Sequence, residues 1–204
     1  CEIWKCMGVE ERMADRCNTI RLYSFQTDVV YQVLKRDGVC YSKEEYVRKK
    51  YKESAKVFIN AYSWFVKEAQ HIVPKPEGAE YPYWAFTDLY NVDQTGDGHV
   101  LTLDVPIGEA ILFDMFDWTK IMQMHYIGEN ESEEATFSEE LKNMGMNEFQ
   151  IMTSNFYPEQ KARIQESWKR LFGHRQAIEA GDNSGVHSVQ AGLWCIKDEW
   201  IVKE

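Results

Sequence analysis

The sequence predicts an α+β fold, a single domain with a mixed, largely antiparallel sheet and helices packed on it. Three observations point there. Strand-like and helical runs follow one another as strand, helix, helix, strand, strand, helices, strand, strand, so they are segregated and do not alternate as β-α-β units. The chain has 204 residues, of which 44% are hydrophobic and 14% aromatic, enough to build one ordinary core. The stretch Tyr81 to Leu112 reads as strand, polar turn, strand, with Tyr83, Trp84 and Phe86 on one side and Val100, Leu101, Leu103 and Val105 on the other. It is expected to form a central hairpin around which the rest is arranged.

Ile20 to Phe25 alternates apolar and polar residues and is rich in β-formers, so it should be the first strand. Thr27 is a good N-cap for a helix whose apolar stripe is Val29, Val30, Val33 and Leu34, and Gly38 supplies a left-handed stop. A second helix is expected from Ser42 to about Ile72, charged in its first half, with Phe58, Tyr62, Phe65 and Ala69 buried in its second. Pro74, Pro76 and Gly78 end it. Beyond the hairpin, Ile111 to Phe113 is a short apolar run, and Asp114 or Asp117 caps a helix that Gly128 ends. Residues 129–140 are acidic and poor in apolar residues, which predicts a loop leading into a short helix started by Thr136. Pro158 opens a helix carrying Ile164, Trp168, Leu171 and Phe172, with Gly173 as its stop. Two late strands, Ser188 to Ile196 and Trp200 to Val202, close the chain. Met13-Ala14-Asp15 reads as a natural start, so residues 1–19 are expected to be an N-terminal extension and 20–204 the domain.

The net charge of −10 disfavours a nucleic-acid partner by removing the salt-dependent part of such affinity. No apolar run approaches the length of a membrane-spanning helix, which predicts a soluble protein with no membrane partner. The five cysteines, Cys1, Cys6, Cys17, Cys40 and Cys195, are scattered with no CxxC pair, the pattern of free thiols in a reducing cytoplasm.

Motifs for common chemistries are absent. No GxSxG, GxGxxG or Walker-type loop occurs, and the histidines at 71, 99, 125, 174 and 187 have no HxxxH or HExxH spacing, so no metal is expected. Asp93 to Asp104 places oxygen side chains and Gly98 as an EF-hand calcium loop does. Its final position is Asp instead of Glu, however, and its flanks are strand-like, so a β-turn explains it. Seven tryptophans and eleven tyrosines read first as an aromatic core. The other reading is a cleft for a planar ring, with Arg21, Tyr23, Ser24, Gln26 and Gln190 as its polar neighbours.

The runs LYSFQ, NAYSWF, YPYWAF, LTLDVPIGEAILFD, SWKRLF and VQAGLWCIKDEWI, spread from Ile20 to Trp200, resemble the bacterial family called domain of unknown function 3841. That family brings no activity to carry over. RLYSFQT leading into a helix is more distantly similar to the opening of ADP-ribosyltransferase folds of the DNA-targeting toxin and RNA phosphotransferase kind, and VQAGLWCIKDEWI to the strand bearing their catalytic Glu. Ser24 stands where such folds place His or Arg, and Gln190 stands near the Glu position, with Glu199 or Glu179 as substitutes in a shifted match. This likeness implies NAD or a related nucleotide as cofactor. Gln190 and Arg21 would be catalytic, Tyr23, Ser24 and Gln26 would contact the nucleotide, Tyr62 and Trp84 would wall the cleft, and a macromolecule would accept ADP-ribose. The alternative is a non-catalytic binding or protein-interaction module. The two separate on one geometric condition: a transferase needs Ser24, Trp84 and Gln190 to converge on one open cleft.

Overall fold

The computed structural model describes residues 18–45 and 55–203. Cys1, Cys6, Cys17, the expected natural start and much of the charged half of the second helix lie outside them. The architecture is α+β with a mostly antiparallel sheet. Two compact units are formed from interleaved segments, the first within 1–42, 73–111 and 190–204, the second within 43–72 and 112–189.

In the first unit, β1 (Thr19–Gln26) is followed by α1 (Asp28–Asp37). Gly38 ends α1 at φ 76°, in the left-handed region that costs glycine least, and its N–H donates to the Leu34 carbonyl. Then come β2 (Val39–Tyr41), β3 (Tyr83–Phe86), β4 (His99–Pro106), β5 (Ala110–Asp114), β6 (Val189–Leu193) and β7 (Cys195–Lys197). The chain passes between the two units within β5 and at the start of β6.

Five strands hydrogen-bond in the order β4-β1-β3-β6-β5, and β2 pairs with β7 in a separate ribbon. The expected central hairpin is therefore not one: β1 lies between β3 and β4 and is antiparallel to both. The connection from Thr87 to Gly98 is long enough to cross over β1, and the first strand takes the central place that burial of Leu22, Ser24 and Gln26 requires. The outer edge of β4 is covered in turn, since Ile201 bridges to Leu103 and the Val202 N–H donates to the Thr102 carbonyl at 2.9 Å. Cys40 and Cys195 are buried free thiols, as the scattered cysteines predict, and burial pushes the Cys195 thiol up to about 11.

The second unit is helical. α2 (Ala55–Ala69) buries Tyr62, Phe65 and Ala69 of the expected stripe together with the neighbouring Trp64, while Phe58 is half-buried. α3 (Met115–Met122) is capped by Asp114, whose carboxylate accepts the Phe116 N–H at 3.0 Å. The core is aromatic, with Phe65 edge-on to Trp118 and Phe113 at 5.3 and 5.5 Å and Trp64 edge-on to Trp168 at 5.4 Å. α3 stops well before Gly128, and Met124 turns the chain at φ 64°. Gly128 instead packs so tightly that a Cβ would meet Glu134 and the Asn130 carbonyl.

The acidic stretch forms helix α4 (Glu131–Asn143), not a loop. Asn130 caps it and Glu131, Glu133 and Glu134 sit in its first turn, where the helix dipole favours negative charge. Three elements go unmarked in the sequence reading: β2, α5 (Glu148–Thr153) with an Asn147–Gln150 capping box, and α7 (Arg175–Glu179). Between the last two, α6 (Pro158–Ser167) begins at Pro158 as expected and passes into a 3-10 turn over Trp168–Phe172. No helix among the described residues is long and apolar enough to cross a membrane.

Candidate functional site

Side chains of paired residues on neighbouring strands point to the same face, and successive residues alternate between faces. Tyr23 pairs with Phe86 and Thr102, and Phe86 pairs with Gln190, so these residues share one face of the sheet. The two-residue period adds Arg21 and Phe25 from β1 and Trp84 from β3. Leu22, Ser24 and Gln26 project from the other face, with Leu101, Leu103, Ala85 and Ala191. The first face carries Tyr23, Phe25, Trp84 and Phe86 half-buried; the second is the core of the first unit.

This placement divides the expected nucleotide site. Ser24 is 1% exposed, donates its hydroxyl to the Trp84 carbonyl at 2.7 Å and accepts the Gln26 amide at 2.8 Å. It is a saturated core hydroxyl, and Gln26 is buried with it. Gln190 is 3% exposed and lies on the opposite face from Ser24, so the two do not converge on an open cleft. The reason is the strand period, which sends an even position of β1 inward while the register puts Gln190 in line with Tyr23. Tyr62 belongs to the second unit, buried with its ring edge-on to Trp118 at 5.8 Å, and is core in place of a cleft wall.

Arg21 is exposed but committed. Its guanidinium makes a two-pronged contact with Asp104 at 2.5 and 3.0 Å, and that hydrogen bond raises its pKa further. Neither substitute carboxylate stands on β6: Glu199 is exposed in the 3-10 turn Asp198–Trp200, and Glu179 pairs with Arg175 in the second unit at 2.6 Å. What the sheet does bring together is Tyr23 and Trp84, joined by Phe25 and by Phe86, which the sequence marks as part of an aromatic strand but not as a site residue. Their signal was present as aromatics two residues apart in both β1 and β3.

Asp93 in the calcium-like loop accepts the Thr95 N–H at 3.0 Å and its hydroxyl at 2.7 Å, which is a side-chain-stabilised turn. No group of three or more His, Cys, Asp or Glu among the described residues is placed to hold a metal ion.

The second unit holds two histidine–carboxylate pairs. Asp114 accepts the N–H groups of Phe116 and His187 and the His187 ring nitrogen, each at 3.0 Å, and the His187 ring stacks on Phe116 at 4.7 Å. Burial pushes the Asp114 carboxyl up, but the hydrogen bonds from His187, Phe116 and Ser188 outweigh it and hold the group below the ordinary aspartate range. Asp117, one turn on, is pushed up by burial. The second pair joins His125 Nδ1 to Glu148 Oε2, while Glu148 Oε1 accepts the Tyr126 N–H at 3.0 Å. That bond raises the His125 pKa against the opposing effect of burial.

Fold and side-chain placement together define an α+β protein whose first unit carries a half-buried aromatic sheet face. The chain belongs to the family described as domain of unknown function (DUF3841), whose model matches residues 21–202. No curated protein and no solved structure matches it. The family resemblance read from the sequence is borne out, and the more distant likeness to ADP-ribosyltransferase folds is not supported.

Proposed function

We propose that the chain is a non-catalytic binding module whose recognition surface in the first unit is the aromatic face of Tyr23, Phe25, Trp84 and Phe86. The observation that carries this reading is the division of Ser24 and Gln190 between opposite faces, with Gln190 buried and the aromatics half-buried beside it. Breaking a nicotinamide–ribose bond calls for a carboxylate that can orient a ribose hydroxyl and accept a proton. Gln190 only hydrogen-bonds, and β6 carries no acid. Aromatic rings two residues apart on adjacent strands do suit a planar ring by stacking. With Arg21 committed to Asp104 and the chain at −10, the surface favours the ring of a nucleotide-like ligand over its phosphates.

Calorimetry with adenosine, ADP and NAD tests the reading, alongside incubation of the protein with labelled NAD and a cell lysate. Adenosine should bind at least as well as ADP at low salt. Trp84→Ala should weaken binding roughly tenfold, the loss of one stacking contact. No label should transfer. Label transfer that disappears in Gln190→Ala would restore the transferase reading, and no binding of adenosine or NAD at millimolar concentration would remove the nucleotide-like ligand.

A further inference from the structure

In the second unit a groove of about 450 Å3 opens between the carboxyl half of α4 and the first turn of α5. One side is apolar: Leu141 is buried at its base, Met146 is half-buried, and Phe149 is 48% exposed. Beside the buried Leu141 this ring offers apolar area that a ligand's apolar body would remove from water. The other side is polar and cationic, carrying Ser138, Lys142 and His125.

Lys142 is exposed and has no ion pair among the described residues, whereas Lys35, Lys120, Lys169 and Lys197 are each held by a carboxylate. His125 is bonded through Nδ1 to Glu148, which leaves Nε2 on the far side of the ring with its side chain 47% exposed. Both Glu148 oxygens are already occupied, by His125 and by the Tyr126 N–H. Glu148 thus orients the imidazole and is not available to a ligand. The charged groups acting on His125 are Glu148 of α5, Glu134 of α4 and Lys120 of α3, with Lys142 of α4 on the same groove.

We propose that this groove binds a small monocarboxylate with an apolar body, its carboxylate between Lys142 Nζ and His125 Nε2 and its body against Phe149, Met146 and Leu141. A cationic ligand meets two positive groups and a carboxylate that is already satisfied. A polyanion is opposed by the exposed acids of α4, Glu131 and Glu139, and by the net charge of the chain. A single negative charge on an apolar body meets less of that repulsion than a polyanion does and gains contact with the apolar side. The ion pair with Glu148 favours the imidazolium, so the site keeps its second positive charge to higher pH than an isolated histidine would.

The test uses 4-phenylbutyrate, its amide and 4-phenylbutylamine at physiological ionic strength, measured by calorimetry and by the shift of the methyl-labelled Met146 signal. The carboxylate should bind, the amide roughly tenfold more weakly, as loss of a charge-assisted contact implies, and the amine weakest. Lys142→Gln, an exposed change that spares the fold, should reduce carboxylate binding to the level of the amide. Phe149→Ala should weaken both ligands alike, and carboxylate binding should fall as pH rises through the His125 titration. Equal binding of carboxylate and amide, preference for the amine, no movement of Met146, or no binding at millimolar concentration would each overturn the proposal.

Discussion

Asp114 gathers three close donors on one carboxylate that is 5% exposed, and the loop 185–188 hangs from it. Replacing it by alanine strands the Phe116 and His187 amides and removes the cap of α3. The expected cost is roughly 2–4 kcal/mol, as for other buried polar groups deprived of their partner. Its carboxyl titrates below the ordinary value of 3.8, so its contribution is present above that value and lost as pH falls through the folded-state pKa. Urea unfolding of wild type and Asp114→Ala should therefore differ at neutral pH and converge in acid. A constant gap across pH would show that the side chain acts by packing and not by charge. The His125–Glu148 pair has the opposite sign. The His125 pKa is raised above 6.5, so its stabilisation is full below that value and disappears as pH rises through the folded pKa.

At the scale of elements, α4 is the instructive case. Its sequence reads as a solvated acidic loop because Phe137 and Leu141 are the only residues it buries, too few to make a visible stripe. What starts it is local: Asn130 accepts the Glu133 N–H at 3.0 Å, and three glutamates complement the dipole. Asn130→Ala should cost about 1 kcal/mol and show as fraying of the first turn in amide exchange. If exchange at Glu133 and Glu134 is unchanged, the tight packing at Gly128 holds the turn in place of the cap. The same distinction explains what was legible elsewhere. β1, α1 with its Gly38 stop, the buried half of α2 and the Pro158 start announce themselves through local periodicity and punctuation. The insertion of β1 between β3 and β4 does not, because strand pairing is set by contacts far apart in sequence. The candidate site was half legible for that reason: alternation along β1 already parts Tyr23 from Ser24, but only the register puts Trp84 with Tyr23 and Gln190 opposite Ser24, and a slip of one residue exchanges the faces.

For the whole molecule, the sheet order decides what chemistry position 190 permits. β6 lies between β3 and β5, every residue of it is buried, and Gln190 is in line with Phe86 and Tyr23 across β3 and β1. Gln190→Glu installs the acid that the transferase likeness calls for, without changing the side chain's size. At 3% exposure with Phe86 paired opposite, that carboxyl is expected to titrate above the ordinary glutamate range, because burial disfavours its charged form. A raised carboxyl pKa makes the folded state bind protons more tightly than the unfolded one, so the penalty grows as pH rises from about 4 through the folded-state pKa. Gln190→Glu should therefore melt close to wild type in mild acid and well below it at pH values above neutrality, and it should transfer no label from NAD at any pH at which it is folded. Thermal scans across pH check the first half and labelled NAD the second. A variant that kept wild-type stability at alkaline pH and gained transfer would mean that position 190 faces an open, polar cleft, and the binding-module reading would have to be abandoned.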